Sequence, residues 1–104
     1  MSGVWQLRRR DDGRVLADLV VTGADFPWLY ARVDERAGLD EVRPFFAEEL
    51  RLLERLDEDV GAWERAHDGV AAAVALRSPD DVDVPEFLIH LDGDEAWWRW
   101  SGGP

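Results

Sequence analysis

The sequence predicts an α+β fold: a mostly antiparallel sheet of about six strands in the order βββααβββ, with two helices on one face. Three observations carry that prediction. Alternating apolar residues flank an Asp-Asp-Gly turn near the start. Two stretches in the middle repeat apolar residues at three- and four-residue spacing. An Asp92-Gly93 pair near the end lies between two runs rich in aromatic and branched residues.

Val4 to Arg10 reads as a strand, Asp11-Asp12-Gly13 as a three-residue turn with Gly at its left-handed position, and Val15 to Val21 as the returning strand. That loop sets Leu7 opposite Ala17 and Trp5 opposite Leu19. Trp5, Leu7, Val15, Ala17, Leu19 and Val21 then share an apolar face, while Leu16 and Val20 join Gln6, Arg8 and Asp18 on the other. Thr22 to Asp25 reads as a loop. Trp28 to Val33 is a third strand, with Leu29, Ala31 and Val33 on one side and Trp28, Tyr30 and Arg32 on the other.

The first helix begins near a cap at Asp40, with Pro44 tolerated close to its start. Its apolar stripe is Val42, Phe45, Phe46, Leu50, Leu53 and Leu56, against a solvated face of Glu41, Glu48, Arg51, Glu54, Arg55 and Glu58. The second helix carries Val60, Trp63, His67, Val70, Ala71 and Val74 on one side and runs to about Ala72, through a Gly69 that costs roughly 1 kcal/mol against Ala. A short strand follows near Ala73 to Arg77, then a turn at Ser78 to Asp81. The last hairpin joins Val84–Leu91 to Glu95–Ser101. A loop at Asp92-Gly93 pairs Ile89 with Ala96, Phe87 with Trp98 and Leu88 with Trp97; a loop at Gly93-Asp94 would instead set Leu88 against Arg99. Residues 102–104 read as an unstructured tail.

Val84 to Ser101, VPEFLIHLDGDEAWWRWS, is similar to the C-terminus of short acidic proteins encoded in actinobacterial genomes, and Asp25-Phe26-Pro27-Trp28-Leu29-Tyr30 is similar to a segment of the same group. The resemblance implies no activity and brings no functional residue with it.

At 104 residues and a folded surface of roughly 5,900 Å² against roughly 17,100 Å² extended, a single domain buries about 65% of its chain surface without disulfide or metal staples. No apolar run reaches membrane-spanning length, and the first residues lack a signal or anchor pattern, which points to the cytoplasm. All 12 basic residues are arginine. Without Lys there is no Schiff base or phosphate-loop lysine; without Cys there is no thiol catalysis, iron–sulfur cluster or thiolate zinc site. The remaining hydroxyls, Ser2, Thr22, Tyr30, Ser78 and Ser101, sit in no activating motif.

The net charge of −11 lies wholly in residues 37–104, which hold six Arg and 17 acids; residues 1–36 are balanced at six and six. Such a chain repels nucleic acid and anionic membranes; a basic partner protein would be attracted, but solubility alone is the simpler account of the charge. Glu64-x-x-His67 has the spacing of a di-metal carboxylate motif, but there is one copy and His67 falls on the apolar stripe, so a packed histidine is expected. Asp80 to Asp83 and Asp92 to Glu95 do not fit the calcium loop and read as turns. Arg8-Arg9-Arg10 with Arg14 reads as a solvated hairpin tip rather than an anion site. No cofactor, metal or catalytic residue is expected.

Trp5, Trp63, Trp98 and Trp100 map to core faces, whereas Trp28 and Trp97 do not. Trp28, Tyr30, Leu88 and Trp97 are expected on the sheet face away from the helices, flanked by Arg32, Glu86, His90 and Arg99. The resulting partner surface is Trp28, Tyr30, Leu88, His90, Trp97 and Arg99, the composition that interface centres favour. It would serve a homodimer or another protein. The competing expectation is a small enzyme or ligand-binding protein that uses carboxylates with His67 or His90.

Overall fold

A computed structural model describes residues 3–101; the tail expected at 102–104 lies outside them. The elements are β1 (Val4–Arg9), β2 (Val15–Asp25), β3 (Trp28–Glu35), α1 (Leu39–Leu53), α2 (Val60–Ala73), β4 (Val74–Arg77), β5 (Glu86–Asp92) and β6 (Glu95–Ser101). The fold is α+β, and its element order is the expected one. Six antiparallel strands form one sheet in the order β4-β1-β2-β3-β6-β5. The sheet curls until its edges nearly meet. The segment entering β5 pairs with β4, through an Arg77–Asp83 bridge and a Val84 N–H bond to the Leu76 carbonyl.

Trp5 faces Leu19 and Leu7 faces Ala17, as the turn predicts, with Gly13 at φ 73°. A bulge then sets Arg8 against Val15 instead of Leu16. One extra residue on β2 turns the strand, so Leu16, expected on the far face, is fully buried beside Ala17. A second bulge, between Val21 and Gly23, carries β2 through Thr22–Asp25, which is strand rather than loop. The β2–β3 turn is Phe26-Pro27, with a cis peptide and a Phe26 that is almost wholly exposed.

The start of α1 is capped not by Asp40 but by Gly38, whose φ of 98° is available to glycine without strain. A Cβ there would lie 3.2 Å from a Leu16 methyl. Pro44 sits in the second turn, where Asp40, the residue whose carbonyl loses its partner, is exposed. The buried stripe of α1 is Leu39, Val42, Phe46 and Glu49. Phe45, expected within it, is 44% exposed and leans toward α2 over Gly69, where an added Cβ would meet the ring at an ordinary contact distance of 3.5 Å. Asp59 caps α2 by accepting the Ala62 N–H at 3.0 Å, and the helix runs through Gly69 as expected.

The last hairpin turns at Gly93-Asp94, not at Asp92-Gly93. Leu88 therefore faces Arg99, Ile89 faces Trp98 and His90 faces Trp97. The cause is turn chemistry. Gly93 has φ 62° and takes the first central position, which a two-residue II′ turn reserves for glycine. A shift of two residues preserves side-chain parity, so Phe87 and Trp98 still share a face and the core survives the change. That core joins Leu7, Leu19, Val33, Ile89 and Trp98 to Phe46, Val70 and Leu76. Trp5 packs on Trp98 and Trp100 at ring separations of 5.4 and 4.9 Å.

The helices pack on each other, α1 against β5 and α2 against β4. The pair thus spans the gap between the two sheet edges. Arg9 bonds to Glu41, Arg10 donates to the Ala71 and Val74 carbonyls, and Arg43 reaches the Gly93 carbonyl. The first helix and the end of the second are thereby tied to two hairpins.

A candidate site under an aromatic face

Among the described residues, Glu49 and His90 are the two buried polar side chains, 0% and 3% exposed. Helical spacing explains Glu49. It stands three residues after Phe46 and seven after Val42, so it lies on the inward stripe of α1. One carboxylate oxygen, Oε2, accepts the indole N–H of Trp63 at 2.6 Å. The other, Oε1, lies 2.8 Å from Nδ1 of His90. With Oε1 as the acceptor, the partner is the His90 tautomer that carries its proton on Nδ1. Three elements meet here: α1 brings Glu49, α2 brings Trp63, and β5 brings His90.

The outer face begins on the other side of His90. The imidazole stacks on Trp28 at 5.7 Å and packs beside Trp97 at 5.3 Å. The Arg99 guanidinium lies 5.7 Å from the Trp28 ring centroid. Trp63 stacks on His67, one turn further along α2, at 5.6 Å. Nδ1 of His90 has its partner in Glu49, but Nε2 of His67 is buried with none. Burial holds the His67 imidazole below its ordinary value of 6.5; the Glu49 charge opposes this, His90 adds to it, and Asp68 opposes it.

Of the six residues expected at a partner surface, Arg99 is exposed, Tyr30 is 39% exposed, and Trp28, Leu88 and Trp97 are half-buried. His90 differs: it lies beneath the face, not at its rim. As the last strand of the sheet, β5 has no neighbour beyond it, so α1 reaches its outer side and Glu49 meets His90 there. The face is thus part exposed and part buried.

Tyr30 and Trp97 sit directly across from each other on β3 and β6 and line an open groove of about 310 Å³. Asp94, Glu95, Arg32 and Thr22 complete its walls. The Arg32 guanidinium is held by Asp34 at 3.0 Å.

The other candidates resolve into local structure. Glu64 is exposed, and among the described residues no group of three or more His, Asp or Glu is placed to hold a metal. Asp81 and Asp83 each bond to Arg77 at 3.0 Å. Arg9 bonds to Asp12 and Glu41, both at 2.7 Å. Among the described residues no helix is long and apolar enough to cross a membrane.

No family model, no curated protein and no solved structure matches the chain.

Proposed function

We propose that this protein is a non-enzymatic acidic interaction domain that docks a basic segment of a partner protein on the outer face of β3, β6 and β5. The observation that carries this reading is the groove in which Tyr30 and Trp97 stand opposite each other beside Asp94 and Glu95. Aromatic walls with adjacent carboxylates suit a guanidinium or ammonium group, which gains from the ring faces and the negative charges together. The one cation in the groove, Arg32, is already engaged by Asp34. The net charge of −11 draws a basic partner toward the chain and opposes association of two copies.

The geometry favours a supporting role for the Glu49–His90 pair over turnover. His90 is 3% exposed and flanked by Trp28 and Trp97.

The reading is tested by titrating the protein with an arginine-rich nonapeptide and with the same peptide carrying citrulline, following tryptophan emission at two salt concentrations. The arginine peptide should bind, weaken with salt, and lose about tenfold in affinity in the Tyr30→Ala/Glu95→Gln double variant, a loss of about 1.4 kcal/mol. Equal binding of the citrulline peptide would overturn the proposal. So would a loss in Glu54→Gln/Glu58→Gln that matches the groove variant, because that would mean unspecific attraction to the acidic surface.

A further inference from the structure

We infer that Glu49, His90 and His67 form a proton-sensitive brace between the helical pair and the outer aromatic face, closed at neutral pH and released in mild acid. The inference rests on the docking reading only for the use of that face; the brace itself stands on the buried geometry.

One carboxylate lies near two imidazoles but bonds only that of His90. Glu49 already accepts from Trp63 and His90, and its bond to His90 persists whether that ring is neutral or cationic. A single buried cation is thus balanced. A second is not. His67 Nε2 is buried without an acceptor, so a proton placed there becomes an unpaired, charged donor. Among the groups around the cluster, Glu49 and Asp68 favour a His67 cation, but burial outweighs them and neither gives Nε2 a hydrogen-bond acceptor. From α2 the facing groups are Trp63 and the exposed Asp68; from β3, Trp28; from β6, Trp97 and the cationic Arg99.

The strain is relieved if the Trp63–His67 segment of α2 moves outward and gives the buried Nε2 of the half-exposed His67 access to water. That motion takes the Trp63 indole off Glu49 Oε2. It also loosens the carboxylate that positions His90, against which Trp28 and Trp97 pack. His90 and Glu49 are positioning residues here, since neither lines the groove.

The test uses the full chain in its wild-type form and follows hydrogen exchange at the Trp63 indole N–H between pH 7.5 and 5. Protection relative to free indole should fall below about pH 6.5, by about tenfold per pH unit for a single coupled proton. Backbone amides of Leu7 and Leu19 should keep their protection throughout. In His67→Phe the indole should stay protected across the same range, and His67→Gln provides a second variant should the aromatic one misfold.

Flat Trp63 protection in the wild type would overturn the brace. An unchanged loss in both His67 variants would also overturn it, because the proton would then act elsewhere. Simultaneous loss at Leu7 and Leu19 would mean global unfolding and no local release. Failure of the basic peptide to bind would sink the docking reading and leave every one of these outcomes readable.

Discussion

The sheet interior and the seam between α1 and β5 are equally buried, yet they are held by different forces. In the interior, Leu7, Leu19, Ile89 and Trp98 are fully enclosed by other apolar groups. Their burial is favourable whatever the exact contact geometry, and it does not respond to protons. At the seam, Glu49 is as buried as Trp98 but depends on two hydrogen bonds, from Trp63 and from His90. Low dielectric strengthens those bonds and makes their loss costly. The interior therefore sets whether the chain folds. The seam adds a condition, that one buried carboxylate keeps both of its partners.

The largest effects should come from breaking either region outright. Trp98→Ala should cost about 3–5 kcal/mol in urea unfolding, the same at pH 7.5 and pH 5. Glu49→Ala should cost a similar amount, about 3–5 kcal/mol, because the Trp63 and His90 donors lose a buried partner. The two are separated by a second pair of variants. Glu49→Leu should recover much of the loss, since an apolar side chain of similar size removes the charge as well as the bonds. Trp98→Phe should cost less than Trp98→Ala, partly because Trp98 Nε1 is a buried donor with no partner. If Glu49→Leu is no better than Glu49→Ala, the hydrogen bonds count for more than the desolvated charge.

A middle-sized effect belongs to pH. The folded-state value of His67 is depressed, so its contribution is fully present above the unfolded value of 6.5 and is lost as pH falls through the lower folded value. Melting temperature should drop between pH 7.5 and 5 in the wild type. The drop should be smaller in His67→Phe, and a Trp98→Ala background should leave that difference intact. An equal drop in wild type and His67→Phe would place the acid sensitivity outside the seam.

The comparison also accounts for what could be read from the chain. Strand alternation and helical spacing report apolar faces, and they placed Trp5, Leu7, Leu19, Ile89, Ala96 and Trp98 inside, where they are. Parity protected that assignment even where the hairpin turns at Gly93-Asp94, because a slip of two residues leaves each side chain on its face. Bulges have no such protection: the extra residue at the Leu7/Arg8 step turned Leu16 inward, with no local signal beyond a strand one residue too long. Glu49 escaped for another reason. Its position on the Val42–Phe46 stripe is plain, but a carboxylate there counts as polar until its partners are known, and Trp63 and His90 lie 14 and 41 residues away. The outer face was legible as Trp28, Tyr30, Leu88, Trp97 and Arg99. That His90 lies beneath it depends on the strand order that leaves β5 last and open to α1, which no short-range pattern encodes.

A smaller stability effect should follow from Gly38→Ala. With φ at 98° and a Leu16 methyl 3.2 Å from the new Cβ, the substitution should cost about 1–2 kcal/mol by thermal or urea unfolding. The cost should be independent of pH, which places it with the interior rather than the seam. A neutral outcome would show that α1 can start without the left-handed turn.

The smallest effect lies on the surface, where pH acts without burial. The Asp12 carboxyl is held down to about 2, first by the Arg9 guanidinium and then by the Arg14 backbone N–H. Its contribution is present above the unfolded value of 3.8 and is lost as pH falls through about 2. The Asp12 contribution begins to fade at 3.8, below the 6.5 at which that of His67 does. Water screens the Arg9 pair, and its effect on global stability should be close to undetectable. The titration itself should remain visible as a carboxyl carbon shift of Asp12 with a midpoint near 2. Arg9→Gln should move that midpoint up toward 3.8 without reaching it, because the Arg14 N–H still donates at 3.0 Å. The same substitution frees Glu41, the other partner of Arg9, and should leave the Trp63 indole protection untouched. A change at Trp63 would mean that the hairpin tip and the seam communicate along α1, and the two buried regions would then not be independent.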